Sequence, residues 1–317
     1  MLEGTSVASG VERFKLLVVI VLYKQRPSES AAFSTLWTAI SRSDRREADI
    51  KALLFDNTPD ACEPGILPDG VVYVAARQNA GLAAAYNRAL EIANEEGIDW
   101  LLTLDQDTSL PDHFLSSLEV ITSSIGSDQR IAAIVPQVFD KTRMLSPSWW
   151  HWNTFPKYFP LGFIGVSHRN ASAFNSASTL RVSAIRAIGG YDPRFWLDYS
   201  DAYLYRKIYK HGMYIYVAGN IQVEHEFSVL DMNRGVSLSR YQNILSAGCA
   251  FWDMELGWLA GLDYTGRLIY RTFYKHLKHG HHPAFRRASL QMLKKRLFQS
   301  RKRRIEEWEA EIKTRIS

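Results

Sequence analysis

The sequence predicts an α/β protein: a mainly parallel, Rossmann-like sheet followed by a helical, basic C-terminal region. Three observations carry this. Over the first ~140 residues, short β-rich runs alternate with helical stretches, the pattern of parallel strands joined by crossover helices. Lys24, Asp56, Asp105 and Asp107 follow or close apolar runs, so they would share the carboxyl edge, where open α/β sheets bind ligands. From about Ser237 onward the chain reads as helices. With 317 residues, 46% of them hydrophobic and 22% charged, the chain has room for one large domain and an appendage.

Strands are expected at Leu16 to Leu22, Lys51 to Asp56, Val71 to Ala75, Trp100 to Leu104 and Ala132 to Val138. Helices are expected at Ser28 to Ile40, Leu82 to Asn94 and Asp112 to Ser123, the last with Pro111 near its first turn. Beyond them come a strand-like piece around Ala173 to Val182 and a helix ending at Gly189-Gly190. A second helix then reaches Lys210, and an extended run from Met213 leads toward His225. Residues 1–14 are expected to be irregular, 15–245 the main α/β domain and 246–317 a helical extension. Between residues 145 and 165, eight aromatic side chains and three prolines predict a long loop. It is either an acceptor-binding flap or lipid-facing surface, or a cluster packed beneath the loop.

Several classes are disfavoured. No run approaches the ~20 apolar residues of a membrane span, and Met1 to Glu12 has neither the basic start nor the apolar core of a signal peptide, so a cytoplasmic location is expected. Cys62 and Cys249 stand far apart without ligand neighbours, which argues against a disulfide framework or a zinc site. Net charge is +5, but it is unevenly placed. Tyr264 to Ile305 holds thirteen Lys and Arg and no Asp or Glu, leaving the rest of the chain near −8. Within that segment apolar residues recur at three- and four-residue steps, as in Leu268, Ile269, Phe273 and Leu277, and again in Leu290, Leu293 and Leu297. Basic amphipathic helices of this kind suit an anionic membrane surface; a helical pair packed on the domain is the alternative. No recognition motif accompanies the charge, so nucleic acid is not expected.

The most telling chemistry is Leu104-Asp105-Gln106-Asp107. Alternate residues of an extended chain point the same way, so both carboxylates can address one target, and hard oxygen ligands suit Mg²⁺ or Mn²⁺. Together with Val21-Leu22-Tyr23-Lys24, Phe55-Asp56-Asn57-Thr58, Gln78-Asn79-Ala80-Gly81, Gly189-Gly190-Tyr191-Asp192, Leu197-Asp198-Tyr199-Ser200-Asp201 and Val223-Glu224-His225, these blocks make the chain resemble family 2 glycosyltransferases of the A-type fold, and within them bacterial rhamnosyltransferases. The resemblance spans roughly residues 16–245.

That resemblance implies an inverting, metal-dependent transferase. Tyr23, Asp56, Asn79, Gly81 and Asp105 would line the nucleotide site, with Asp56 accepting from the base imide N–H. Asp107, Asp105 and His225 would hold the ion, and Asp201, with Asp198 as its rival, would be the general base. The implied donor is dTDP-rhamnose, and the implied acceptor a lipid-linked saccharide of bacterial surface polysaccharide, met on the cytoplasmic face of the inner membrane through residues 264–305. Alternatives are a UDP-sugar-dependent galactofuranosyl- or hexosyltransferase, and a membrane-surface binding protein on a degenerate transferase fold. Two positions depart from the family's pattern. Lys24 stands where many relatives have Asn, and Ala177 where a Gly is common.

Overall fold

The computed structural model describes residues 14–42, 49–61, 63–76, 78–126, 128–151, 155–225, 236–255, 258–278 and 282–316. Residues 1–13, Cys62 and Trp152 therefore lie outside the described residues. Four parallel strands form one half of the main sheet: β1 (Lys15–Leu22), β2 (Asp49–Asp56), β3 (Val71–Ala75) and β4 (Trp100–Asp105), in the order β3-β2-β1-β4. Leu16 to Leu22 are buried throughout, as an unbroken apolar run requires when both faces are covered. Helices α1 (Ala31–Ser41), α2 (Gly81–Glu95) and α3 (Phe114–Ile125) make the crossovers. Ser30 starts α1 by accepting a hydrogen bond from the Phe33 N–H at 3.2 Å.

The other half is mixed. β5 (Thr108–Ser109) and β6 (Ile131–Asp140) follow β4, and the aromatic stretch then supplies β7 (Arg143–Ser146), β8 (Ser148–His151), β9 (Phe155–Tyr158), β10 (Ile164–Ser167) and β11 (Ala171–Ser172). β12 (Ser178–Arg181) runs antiparallel between β4 and β6, while β13 (Tyr214–His225) lies parallel to β6. The long loop expected between residues 145 and 165 is thus corrected to strands. β8, β9 and β11 form their own antiparallel sheet, whose ladder bonds occupy the backbone groups a loop would leave open. Trp150 meets Trp252 edge-on, at 5.9 Å between centroids, and is packed rather than presented.

After α4 (Val182–Ala187) and α5 (Ser200–Lys210) come α6 (Leu238–Glu255), α7 (Trp258–Tyr270), a π-helical turn at Arg271–Lys275, α8 (His276–Lys278), α9 (Pro283–Phe298) and α10 (Arg301–Ile316). α6 runs unbroken through residue 245. These helices share an apolar core with Phe195 and Tyr203 of the sheet domain, joined by Leu268, Leu293 and Trp308. The expectation that Leu268 and Leu293 belong to a lipid-facing stripe is therefore corrected.

The basic segment also spends part of its charge inward. Arg296 and Arg304 both bind Asp253 of α6, at 3.0 and 2.7 Å, and Arg296 and Asp253 are almost wholly buried. Removing one partner of such a group strands the others without water. Asp253→Ala is expected to cost about 3–5 kcal/mol in a urea unfolding curve.

Candidate active site

The carboxyl edge is built by register. Leu22 lies beside Asp56 and Val21 beside Asp105, so the ends of β1, β2 and β4 are level. After Asp105 the chain turns and re-enters β5, which pairs with the end of β13: Thr108 opposite His225 and Ser109 opposite Glu224. That two-residue ladder joins positions more than a hundred residues apart. It sets His225 Nδ1 3.3 Å from Asp107 Oδ1. Asp105, Asp107 and His225 each offer a ligand atom within 4.8 Å of the others. Two hard carboxylates and one imidazole on one side of a turn fit a divalent ion of the Mg²⁺ or Mn²⁺ class.

Gln106 shows why the turn holds this shape. Its side chain points away from the carboxylates and accepts from the Tyr23 N–H at 2.7 Å, while its carbonyl accepts from Ser30 Oγ at 2.9 Å and the Ala32 N–H at 3.2 Å. Asp105 in turn accepts from the Tyr86 hydroxyl at 3.2 Å and from Ser176 Oγ, which arrives from the strand-entry loop of β12. Burial disfavours a charge on His225, yet its hydrogen bond with Asp107 and the fields of Asp105, Asp107 and Asp140 outweigh burial and raise its pKa above the ordinary imidazole value.

Asp56 and Asn79 are already engaged within the protein. Asp56 is buried and accepts from the Thr58 N–H at 2.8 Å and the Tyr73 hydroxyl at 2.7 Å. Asn79 Oδ1 accepts from the Gly81 N–H at 3.1 Å, and Asn57 clamps the same segment through the Ala80 N–H and the Gly81 carbonyl, both at 3.1 Å. The close approach at Gly81, expected toward a nucleotide, is toward Trp196: a Cβ there would fall 2.3 Å from the Trp196 carbonyl oxygen, at a φ of +82°. Glycine is thus required on two grounds. Gly81→Ala is expected to lower stability by roughly 2–4 kcal/mol, read as a fall in Tm, because the segment leading to Asp198 and Asp201 must move. Tyr23, by contrast, is exposed at the mouth of the edge.

The two aspartates of the 197–201 block have unlike surroundings. Asp198 is nearly buried, bonded to Arg240 at 2.9 Å and to Asn243, both on α6. Asp201 has no cationic partner among the described residues; its Oδ1 accepts from the Ala202 N–H at 2.6 Å. Burial, with the negative charges of Asp105 and Asp198 adding to it, pushes its pKa up to about 7. Between them Tyr199 turns the chain with a φ of +65°. Asn175 supports this corner, donating to Ser200 Oγ at 3.1 Å and accepting from the Tyr191 hydroxyl at 2.9 Å.

Both departures from the family's pattern fall on backbone that L side chains seldom adopt. Lys24 has a φ of +54° and Ala177 of +61°. Asn and Gly tolerate this region better than Lys or Ala.

One edge therefore gathers Asp56, Asp105, Asp107 and His225, with Tyr23 beside them, Asn79 and Gly81 at the start of α2, and Asp201 within electrostatic reach of Asp105. Gln106, Ser176, Tyr86, Arg240 and Asn243 complete it and were not singled out from the sequence. The mixed α/β sheet with its C-terminal helices defines an A-type glycosyltransferase fold, shared with solved structures. One is GalNAc-T7 with UDP, GalNAc and Mn²⁺, at 16% identity and a TM-score of 0.53, covering 77% of this chain and 49% of that one. Another is S. aureus TarS 1-349 in complex with UDP, at 12% identity and a TM-score of 0.50, covering 84% and 92%. The chain spans about half the length of the first of these. A search of curated proteins gives no match. Residues 55–186, less than half of the chain, match the family model for glycosyl transferase family 2. That segment, similar to the family, holds Asp56, Asn79, Gly81, Asp105 and Asp107.

Proposed function

We propose that the protein is an inverting, metal-dependent glycosyltransferase that moves a sugar, L-rhamnose from dTDP-rhamnose, to a lipid-linked saccharide acceptor. The observation that carries the transfer chemistry is the Asp105, Asp107 and His225 triangle at the carboxyl edge, with Asp201 close enough to feel Asp105. The sugar and the acceptor rest on the Asp-Tyr-x-Asp form of residues 198–201 and on the family resemblance.

In this reading Asp105, Asp107 and His225 hold the divalent ion, whose chemistry is to neutralise charge gathering on the departing nucleoside diphosphate. Asp201 takes the proton from the acceptor hydroxyl. The freed oxygen attacks the anomeric carbon as the bond to the diphosphate oxygen breaks, inverting the configuration. A carboxyl titrating near neutrality is suited to that task. Asp198, held by Arg240 and Asn243, instead positions the segment. Tyr23 and Asp56 flank the place of the base, where free lone pairs on Asp56 can still accept the imide N–H.

A second reading, transfer from a UDP-sugar, is favoured by the UDP bound in both structural neighbours. The two separate in one experiment: thermal stability of the purified protein with dTDP, UDP, GDP or ADP, each with and without Mn²⁺. A ligand that binds the native state raises Tm. A Mn²⁺-dependent rise with dTDP supports the rhamnosyl reading and a preference for UDP moves the assignment to the second. The absence of any metal-dependent response would overturn both.

A further inference from the structure

The segment Trp258–Lys278 carries its polarity in an unusual order. Its inward stripe, at four-residue steps, is Tyr264, Leu268, Thr272 and His276, all buried. Two of these are polar, and His276 is satisfied inside by Tyr241 and Ser289, each at 3.0 Å. On the outward side stand Leu262, Ile269, Tyr270, Phe273, Tyr274 and Leu277, from 45% to 61% exposed. Their spacing of seven, one, three, one and three residues keeps them on one face of a helix. Side chains so exposed make an apolar patch on the order of several hundred Å², at the upper end of what a soluble monomer shows without a partner.

Charge borders the patch on one side. Half-buried Lys275 and exposed Lys278 stand there, while Arg267 is bonded to Asp263 at 2.6 Å and Arg271, engaged with Tyr241, is turned inward. Arg286, Arg287, Lys294 and Arg301 of the following helices are exposed as well. No acidic residue occurs in the sequence between Tyr264 and Ile305. Arg296 and Arg304, turned inward to Asp253, are taken out of this count.

We infer that the outward face of residues 262–277 seats the protein on an anionic lipid bilayer, with Phe273, Leu277, Tyr270 and Tyr274 entering the interface and Lys275, Lys278 and the exposed cations of the following helices meeting the headgroups. Apolar side chains supply burial, the tyrosines an amphipathic body for the boundary, and the cations the preference for negative lipid. This deepens the reading of a lipid-linked acceptor. It replaces a diffuse basic tail with one face, and differs from the sequence expectation in leaving Leu268 and Leu293 inside.

Co-sedimentation of the full chain with vesicles of phosphatidylglycerol and phosphatidylcholine, against phosphatidylcholine alone, tests it without donor or acceptor, so its failure is separable from failure of the transfer reading. Phe273→Ser with Leu277→Ser, both exposed and safe for folding, is expected to weaken binding to the anionic vesicles at least tenfold. The Mn²⁺-dependent Tm response to nucleotide should stay unchanged. Lys278→Glu with Arg287→Glu should also weaken binding, and 0.5 M salt should reduce it. Unchanged sedimentation in the Phe273/Leu277 variant would overturn the proposal. So would a dimer of the wild type in light scattering that becomes monomeric in that variant, because the face would then belong to a second copy.

Discussion

Asp201→Asn is expected to lower kcat by about 10²–10⁴-fold while leaving Mn²⁺-dependent nucleotide binding within a factor of a few. The amide keeps the shape and can still accept the Ala202 N–H, so the loss isolates proton transfer from folding. In the wild type, kcat/KM should rise with pH through about 7, since only the ionised carboxylate takes a proton. Saturating Mn²⁺ should move this limb down, because the Asp105 charge is one cause of the raised pKa. The same substitution at Asp198 would remove a partner of Arg240 and Asn243. There Tm should fall, and the pH limb should stay in the residual activity. A pH limb that vanishes in Asp198→Asn but persists in Asp201→Asn would reverse the assignment.

Stability supplies a second reading of the same group. A carboxyl whose folded pKa lies above its unfolded value favours the fold fully at low pH, and that contribution is lost as pH rises through the folded pKa. Asp201 should therefore burden the native state above about pH 7. Asp201→Asn is expected to raise Tm at pH 8, by an amount equivalent to roughly 1–4 kcal/mol, and to change it little at pH 4. A residue kept for helix capping alone would show the opposite, a loss of stability on removal of its charge.

Much of this site was legible in the sequence because it depends on period and adjacency. Trp100 to Asp105 is an apolar strand with its polar residues at the end, and the parallel register does the rest. The β5 pairing that brings His225 to Asp107 was not legible from spacing, since two-residue ladders leave almost no pattern in composition. The strands within 143–172 were missed for a related reason. Pro147, Pro156 and Pro160 read as loop punctuation, yet Pro156 sits within the small sheet, in β9, which among the described residues pairs with β8 alone. In α7 the periodicity was visible but the choice of face was not. Leu268 is buried and Ile269 exposed, although hydropathy scarcely separates them. What decides it is that Tyr264 finds the Leu245 carbonyl and His276 finds Tyr241 and Ser289 on neighbouring helices, and only contacts can say so.

Replacing Asp107 should cost the most. Asp107→Ala removes one of two carboxylates from the triangle and leaves His225 without its 3.3 Å partner. Charge stabilisation by a bound ion is worth several kcal/mol, so transfer should fall by roughly 10²–10⁴-fold. The decisive control is chelation: EDTA should silence the wild type to the level of Asp107→Ala and have no further effect on the variant. His225→Ala should lie between, since both carboxylates remain. Protons compete with the ion for the imidazole. Its pKa is raised by its hydrogen bond with Asp107 and the neighbouring carboxylates, so Mn²⁺ affinity in the wild type should climb as pH rises above the ordinary imidazole range, and His225→Ala should flatten that climb. If Mn²⁺ raised the Tm of Asp107→Ala as much as that of the wild type, the ion would be held elsewhere, and the geometry at the end of β4 would have to serve the nucleotide alone.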